Sequence, residues 1–152
     1  MPLEPRDPAP TITAPNQDGK TVSPRYETVT VVYFYVEDHT PGCVTQAQQF
    51  CREWELYRTA GIELYGVSTD DVTTHREFAN TNNIKYDILA DPDGKICSAF
   101  EVDRDHADRP KRTTFVIDNG EIIRTYENVT PDGHARNLLL ELHNDGVVKL
   151  DF

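Results

Sequence analysis

Cys43 is the residue of this sequence best placed to do chemistry, because it falls where a strand-like run gives way to a helical pattern. Before it lies Val29-Thr30-Val31-Val32-Tyr33-Phe34-Tyr35, then, after four residues, Thr40-Pro41-Gly42; after it, apolar residues recur at helical spacing from about Val44 to about Arg58. The first run is dense in β-branched and aromatic residues and predicts a strand buried on both faces, with Cys43 in the first turn of the helix that follows. A thiol in a first turn meets unpaired backbone N–H groups and the positive end of the helix dipole, and both favour the thiolate, the form that attacks electrophiles. Pro41 suits the start of a helix, Gly42 lets a small molecule approach the backbone, and Thr40 brings a hydroxyl that donates or accepts. The competing reading is the commoner fate of a lone cysteine, a small buried hydrophobe.

Further motifs weigh against the competing reading. Tyr33-Phe34-Tyr35-Val36 precedes the cysteine turn, Tyr65-Gly66-Val67-Ser68 closes a second apolar run, and Asp91-Pro92-Asp93-Gly94-Lys95 makes a turn. Arg112-Thr113-Thr114-Phe115-Val116-Ile117-Asp118 opens a third run. In this order the set resembles the peroxiredoxins, in the branch called bacterioferritin comigratory protein or peroxiredoxin Q. The resemblance implies a thioredoxin-like fold and a thiol-dependent peroxidase acting on hydrogen peroxide and small alkyl hydroperoxides. It assigns Cys43 as the attacking thiol, with Thr40 and Arg112 as its catalytic partners, and places the substrate against Pro41 and Gly42. No cofactor is implied. The partners it implies are the hydroperoxide and thioredoxin or another thiol reductant, for a monomer or weak homodimer.

Splitting an O–O bond requires a thiolate in line with it and donors where charge develops. Lowering a thiol pKa from about 8.5 to about 6 raises its reactive fraction at pH 7 only about thirtyfold. The larger acceleration must come from donors that bind the transition state better than the ground state. On the family pattern these are the Thr40 hydroxyl, the Gly42 and Cys43 amides and the Arg112 guanidinium. The product is a sulfenic acid, which a second thiol converts to a disulfide. Many family members carry that resolving thiol in a Glu-Ala-Cys triplet, where this chain reads Gln46-Ala47-Gln48. Cys51 and Cys97 are the remaining candidates. Cys51 sits roughly 12 Å along an intact helix, beyond the roughly 7 Å Cα limit for a disulfide. Cys97 opens the short helix after Asp91-Pro92-Asp93-Gly94. A one-cysteine cycle with an outside reductant stays open beside both. Val36 replaces the proline of the family motif, and Gln46 a glutamate that helps to orient the arginine. These departures motivate a second reading, a redox-sensing or partner-binding thioredoxin-like module with weak turnover. Cys-x-x-Cys chemistry is excluded because Gln46 stands three residues after Cys43, and the cysteines and histidines show no metal-ligand spacing.

Positioning such a site takes an alternation of strands and helices. After a proline-rich start, expected to be extended or loosely ordered, Thr11 to Pro15 and Lys20 to Val22 flank an Asp18-Gly19 turn and predict a hairpin. Ile62 to Ser68 predicts a strand, Val72 to Asn82 a helix with His75 on its solvent face, Ile88-Leu89 a short strand and Ile96 to Phe100 a short helix. Thr113 to Ile117 and Glu121 to Tyr126 predict a hairpin about Asn119-Gly120, and a last helix runs from about Asp132 to Asn144. The expectation is an α/β, three-layer, thioredoxin-like fold with an added N-terminal hairpin, one domain over residues 1–152. The 17.3 kDa chain is large enough for a core without staples. A net charge of −11 excludes nucleic acid and anionic membranes as partners. No apolar run is long enough to span a bilayer and no secretory signal opens the chain, so a cytoplasmic protein with reduced cysteines is expected.

Overall fold

The computed structural model describes residues 1–150. A five-stranded mixed sheet carries the molecule: β3 (Thr30–Phe34) is central, β4 (Glu63–Ser68) and β5 (Asp87–Ala90) extend it in parallel on one side, and β6 (Thr113–Asp118) and β7 (Glu121–Glu127) extend it antiparallel on the other. The N-terminal hairpin is a separate pair, β1 (Ala14–Pro15) with β2 (Thr21–Val22). Among the described residues four helices complete the fold: α1 (Pro41–Thr59), α2 (Val72–Asn82), α3 (Lys95–Ala99) and α4 (His134–Asn144).

The two-residue period of the strands sorts their side chains into two cores. Val31, Tyr33 and Tyr35 point to one face, where Phe50 and Tyr57 of α1, Phe78 of α2 and Leu138, Leu139 and Leu142 of α4 cover them. Val32 and Phe34 point to the other, against Phe115, Ile117 and Ile122 and beneath Ile96, Cys97 and Phe100 of the α3 region. The sheet is therefore a layer between helices on both faces, as parallel strands require. Burial of all five residues of β3 follows from its place at the centre.

Sequence signals account for the ends of these elements. Asp71 caps α2 by accepting from the Thr74 amide at 2.8 Å, and Asn83 ends it in the left-handed conformation. Asn119 and Gly120, both at positive φ, turn β6 into β7. Gly66 in β4 lies under an aromatic ring: a Cβ there would stand 3.0 Å from Tyr33 Cζ. Tyr33 is itself tied to Tyr86 by a 2.6 Å hydroxyl contact and stacks on Phe50 at 4.5 Å.

Two expectations differ from the structure. The proline-rich start is extended but docked: Leu3 donates to the Phe100 carbonyl, Arg6 to that of Ile122 and Ala9 to that of Gly120. Backbone pairing along the edge of β7 fixes it, and prolines suit such an edge because they withhold no needed donor. His75 is fully buried rather than on the solvent face of α2, because its ring finds hydrogen-bond partners inside.

Candidate active site

Register places the site. Phe34, the last residue of β3, pairs with Thr113, the first of β6, so Arg112 emerges beside the carboxyl end of β3. The chain leaving β3 runs through Val36, Glu37, Asp38 and His39 to Thr40, the N-cap of α1. Cys43 is thus in the first turn of α1, above the carboxyl ends of β3 and β4, the end of an α/β sheet where ligands ordinarily bind. Arg112 Nη2 donates to Cys43 Sγ at 3.3 Å, and Nη1 of the same guanidinium donates to Gln46 Oε1 at 2.9 Å. Cys43 and Gln46 are one helical turn apart, so the arginine fork spans a single face of α1.

Gly42 makes that approach feasible. A Cβ on it would stand 2.6 Å from Arg112 Nη2 and 3.5 Å from Pro131 Cγ. Pro41 is exposed at the start of α1. Thr40 Oγ1 donates to the Glu37 carbonyl at 2.9 Å, so its proton is committed to the backbone and its lone pairs are what it offers a bound molecule. Cys43 is 1% exposed and belongs to the core beneath α1. It is at once a packed residue and the neighbour of a guanidinium, so the two readings of its sequence position are not exclusive. Gln46 Nε2 is buried with no hydrogen-bond partner among the described residues, a neutral amide nitrogen left over where the family's carboxylate would have none.

The other two cysteines lie elsewhere. Cys51 is two turns further along α1, half-buried, with Sγ 3.8 Å from the Asn83 carbonyl; burial pushes its thiol up, against a smaller downward pull from Lys85. Cys97 lies in the core on the opposite face of the sheet from Cys43. Its thiol is pushed far up, by burial first and then by the Asp91 carboxylate, whose oxygens accept the Ile96 and Cys97 amides at 2.9 Å. Both environments disfavour the thiolate that disulfide exchange needs.

A network that sequence reasoning missed stands behind the loop. His75 Nε2 lies 2.9 Å from the Leu89 carbonyl and Nδ1 lies 2.6 Å from Asp38 Oδ2. Tyr35 donates to Asp38 Oδ1 at 2.7 Å, and the Asp38 amide donates to Asp70 Oδ2 at 2.9 Å. Ligand atoms of Asp38, Asp70 and His75 all lie within 4.8 Å of one another. With both imidazole nitrogens already engaged, the set reads as a satisfied hydrogen-bond network, not a vacant cation site. His39 is exposed, as the sequence suggests, at a positive φ of 65° with its ring against Phe78. Arg109 pairs with Glu37 at 3.2 Å and Asp105 at 2.9 Å, tying the loop before β6 to the loop before α1.

A model of the AhpC/TSA family matches residues 5–126, which spans both the cysteine turn and Arg112. The chain belongs to that family. Within it the likeness is to the peroxiredoxin Q and bacterioferritin comigratory protein branch. A putative peroxiredoxin of Coxiella burnetii is 31% identical over 148 residues, covering 91% of this chain and 98% of that protein. Chloroplastic peroxiredoxin Q of Triticum aestivum is 36% identical over 140 residues, 89% of this chain, and the match spans 64% of the plant protein's length. The solved bacterioferritin comigratory protein of Xanthomonas campestris superposes with a TM-score of 0.81 at 25% identity, over 88% of this chain and 91% of that one. That structure is described in terms of alkyl peroxide reduction activity and trapped intermediates. The α/β sheet with helices on both faces is accordingly the thioredoxin-like fold of this family. Among the described residues, no helix is long and apolar enough to cross a membrane.

Proposed function

We propose that this chain is a thiol-dependent peroxidase in which the Cys43 thiolate attacks hydrogen peroxide or a small alkyl hydroperoxide. The observation that carries the proposal is the Arg112 fork, which holds Cys43 Sγ at 3.3 Å in the first turn of α1. Sulfur bonds to the terminal peroxide oxygen as the O–O bond breaks. The leaving oxygen departs with the bonding pair and takes a proton to become water or an alcohol, and Cys43, oxidised by two electrons, becomes a sulfenic acid. Arg112 and the amides of the α1 first turn are donors for the charge that develops on both oxygens. Thr40 accepts the hydrogen of the incoming hydroperoxide and so orients its O–O bond. Pro41 and Gly42 line the approach.

The sulfenic acid is returned to the thiol by an outside reductant, thioredoxin or another small thiol. One thiol condenses with it, releasing water and leaving a mixed disulfide; a second displaces Cys43 and forms the reductant's own disulfide. Two placements support this one-cysteine cycle over Cys51 or Cys97 as the resolving residue: Cys97 lies behind the sheet, and Cys51 lies two turns along an unbroken helix. Residues 1–152 act as one domain, in the cytoplasm, as a monomer or weak homodimer.

The test is mass spectrometry with a sulfenic-acid trap after one equivalent of hydrogen peroxide or cumene hydroperoxide is added to the reduced protein. Wild type, Cys51→Ser and Cys97→Ser are all expected to trap one sulfenic acid, on Cys43, within seconds, and Cys43→Ser to trap none. A disulfide from Cys43 that disappears in one of the two other variants overturns the one-cysteine cycle. Oxidation of Cys43 no faster than that of a free thiol overturns the peroxidase.

A further inference from the structure

His75 lies outside the catalytic constellation, yet its hydrogen bonds end on the loop that builds it. The Leu89 carbonyl can only accept, so Nε2 carries a hydrogen. The 2.6 Å separation of Nδ1 from Asp38 Oδ2 cannot join two lone pairs, so a second proton lies there and the pair is an imidazolium with a carboxylate. Burial alone would push the imidazole down; the Asp38 hydrogen bond and charge, the Leu89 carbonyl and Asp70 outweigh it and hold the ring above its ordinary value. The groups that face the ring are Tyr35 from the end of β3, Asp38 from the active-site loop, Asp70 from the segment after β4 and Asp71 at the start of its own helix. The nearest are carboxylates or their hydrogen-bond donors, and no other cation appears among them.

Asp38 is the point where this network meets the site. Its carboxylate takes bonds from His75 and Tyr35, its amide is held by Asp70, and two residues on is Thr40. Between them His39 has a φ of 65°, a left-handed turn that histidine tolerates better than most residues and that its surroundings hold here. Asp38 on one side and the contact with Phe78 on the other are those surroundings. We propose that His75 is a positioning residue for this site: in its protonated form it clamps Asp38, fixing the 36–40 loop that presents Thr40 and leads into the first turn of α1, where Cys43 lies. Loss of one ring proton leaves a neutral imidazole with a single N–H for its two acceptors, Asp38 and the Leu89 carbonyl, and removes the positive charge that clamps Asp38. The inference rests on the peroxidase reading above.

Two reactivities of the full-length reduced protein separate positioning from thiolate formation. Alkylation of Cys43 by iodoacetamide needs only the thiolate, whereas oxidation by hydrogen peroxide needs Thr40, Arg112 and the helix terminus in register. The ratio of the two rate constants, measured from pH 5.5 to 8.5, is the readout. In wild type it is expected to fall about tenfold as the pH rises through the titration of His75, the reverse of a profile limited by thiolate. His75→Asn keeps an amide donor toward Asp38 and does not titrate, so its ratio is expected to be flat with pH. His75→Leu is expected to be about tenfold below wild type at pH 6. A pH-independent ratio in wild type overturns the proposal, as does a His75→Leu ratio within twofold of wild type. If His75→Leu does not fold, a wild-type slope that persists in His75→Asn overturns it equally. A wild type whose peroxide rate is that of a free thiol at every pH instead refutes the peroxidase reading, and the inference falls with it.

Discussion

Replacing Gly42 by alanine should separate reactivity from stability, moving them in opposite directions. The new Cβ would stand 2.6 Å from Arg112 Nη2, and ordinary contact begins near 3.4 Å, so the guanidinium must withdraw by about 0.8 Å. Its 3.3 Å bond to Cys43 Sγ then stretches toward about 4 Å, past useful hydrogen-bond length. A hydrogen bond to a charged group contributes about 1.5–3 kcal/mol, so the peroxide rate constant should drop about 10- to 100-fold. The yielding atom is the end of a flexible side chain, so displacing it costs the fold little. Gly42 is the second residue of α1, and there alanine is favoured over glycine by a fraction of the roughly 1 kcal/mol it gains in a helix interior. Stopped-flow measurement of Cys43 oxidation, paired with urea denaturation of the same protein, reads both quantities. A variant that keeps its peroxide rate within threefold of wild type would refute the assignment of Arg112, because the withdrawn guanidinium no longer reaches Cys43 Sγ.

Other substitutions test separate parts of the molecule. Arg112→Lys keeps a charge but loses the fork that reaches Cys43 and Gln46 together, and should slow peroxide reduction about 100-fold with a small effect on melting temperature. Gln46→Met removes the buried amide nitrogen that has no partner and should raise stability by about 1 kcal/mol, while the untethered Arg112 slows oxidation about tenfold in the same stopped-flow assay. Gly66→Ala should cost about 1–3 kcal/mol in urea denaturation, because its Cβ would press on the Tyr33 ring and on Ile88. Burial holds His134 down at about 4 from its ordinary 6.5, so the unfolded chain binds a proton that the folded chain refuses. Stability should therefore fall as the pH drops from 6.5 toward 4, by up to about 3 kcal/mol, and His134→Gln should flatten that limb in a pH series of thermal melts.

Much of the architecture was legible because local signals and tertiary demands agree. The helix over Val72–Asn82 has the same bounds in sequence and structure: Asp71 is a cap by type, and Asn83 tolerates the left-handed turn that ends it. The strands around Tyr33 and Val67 read as doubly buried because β-branched and aromatic residues fill both of their faces. Cys43, Thr40 and Arg112 were legible only as motifs; what placed Arg112 beside Cys43 is the pairing of Phe34 with Thr113, a register that no local pattern encodes. His75 was misplaced because a histidine amid threonines and charges looks solvated. Its partner Asp38 is 37 residues earlier, too far for any helical or strand period to connect the two. One signal was present: His75, Phe78 and Ala79 fall at the spacing of a single buried stripe. The docked N-terminus was hidden for a similar reason, since its partners are the carbonyls of Phe100, Gly120 and Ile122, about 100 residues further along the chain.

In the proposed mechanism the Cys43 sulfur is a reagent that also serves as a packing atom. It is 1% exposed and belongs to the same buried cluster as Tyr33, Tyr35 and Phe78, an interior that tolerates little added volume. Each oxygen gained on that sulfur therefore acts as a small-to-large change in the core, at an expected cost of about 1–3 kcal/mol before any hydrogen bonds are counted. A first oxygen sits where the guanidinium can receive it; a second or third, on the way to sulfinic and sulfonic acid, must push against rings. The oxidation state of one atom is thereby coupled to the rigidity of the α1 first turn. Peroxide in excess should leave its trace as a loosened helix end as well as a dead thiol.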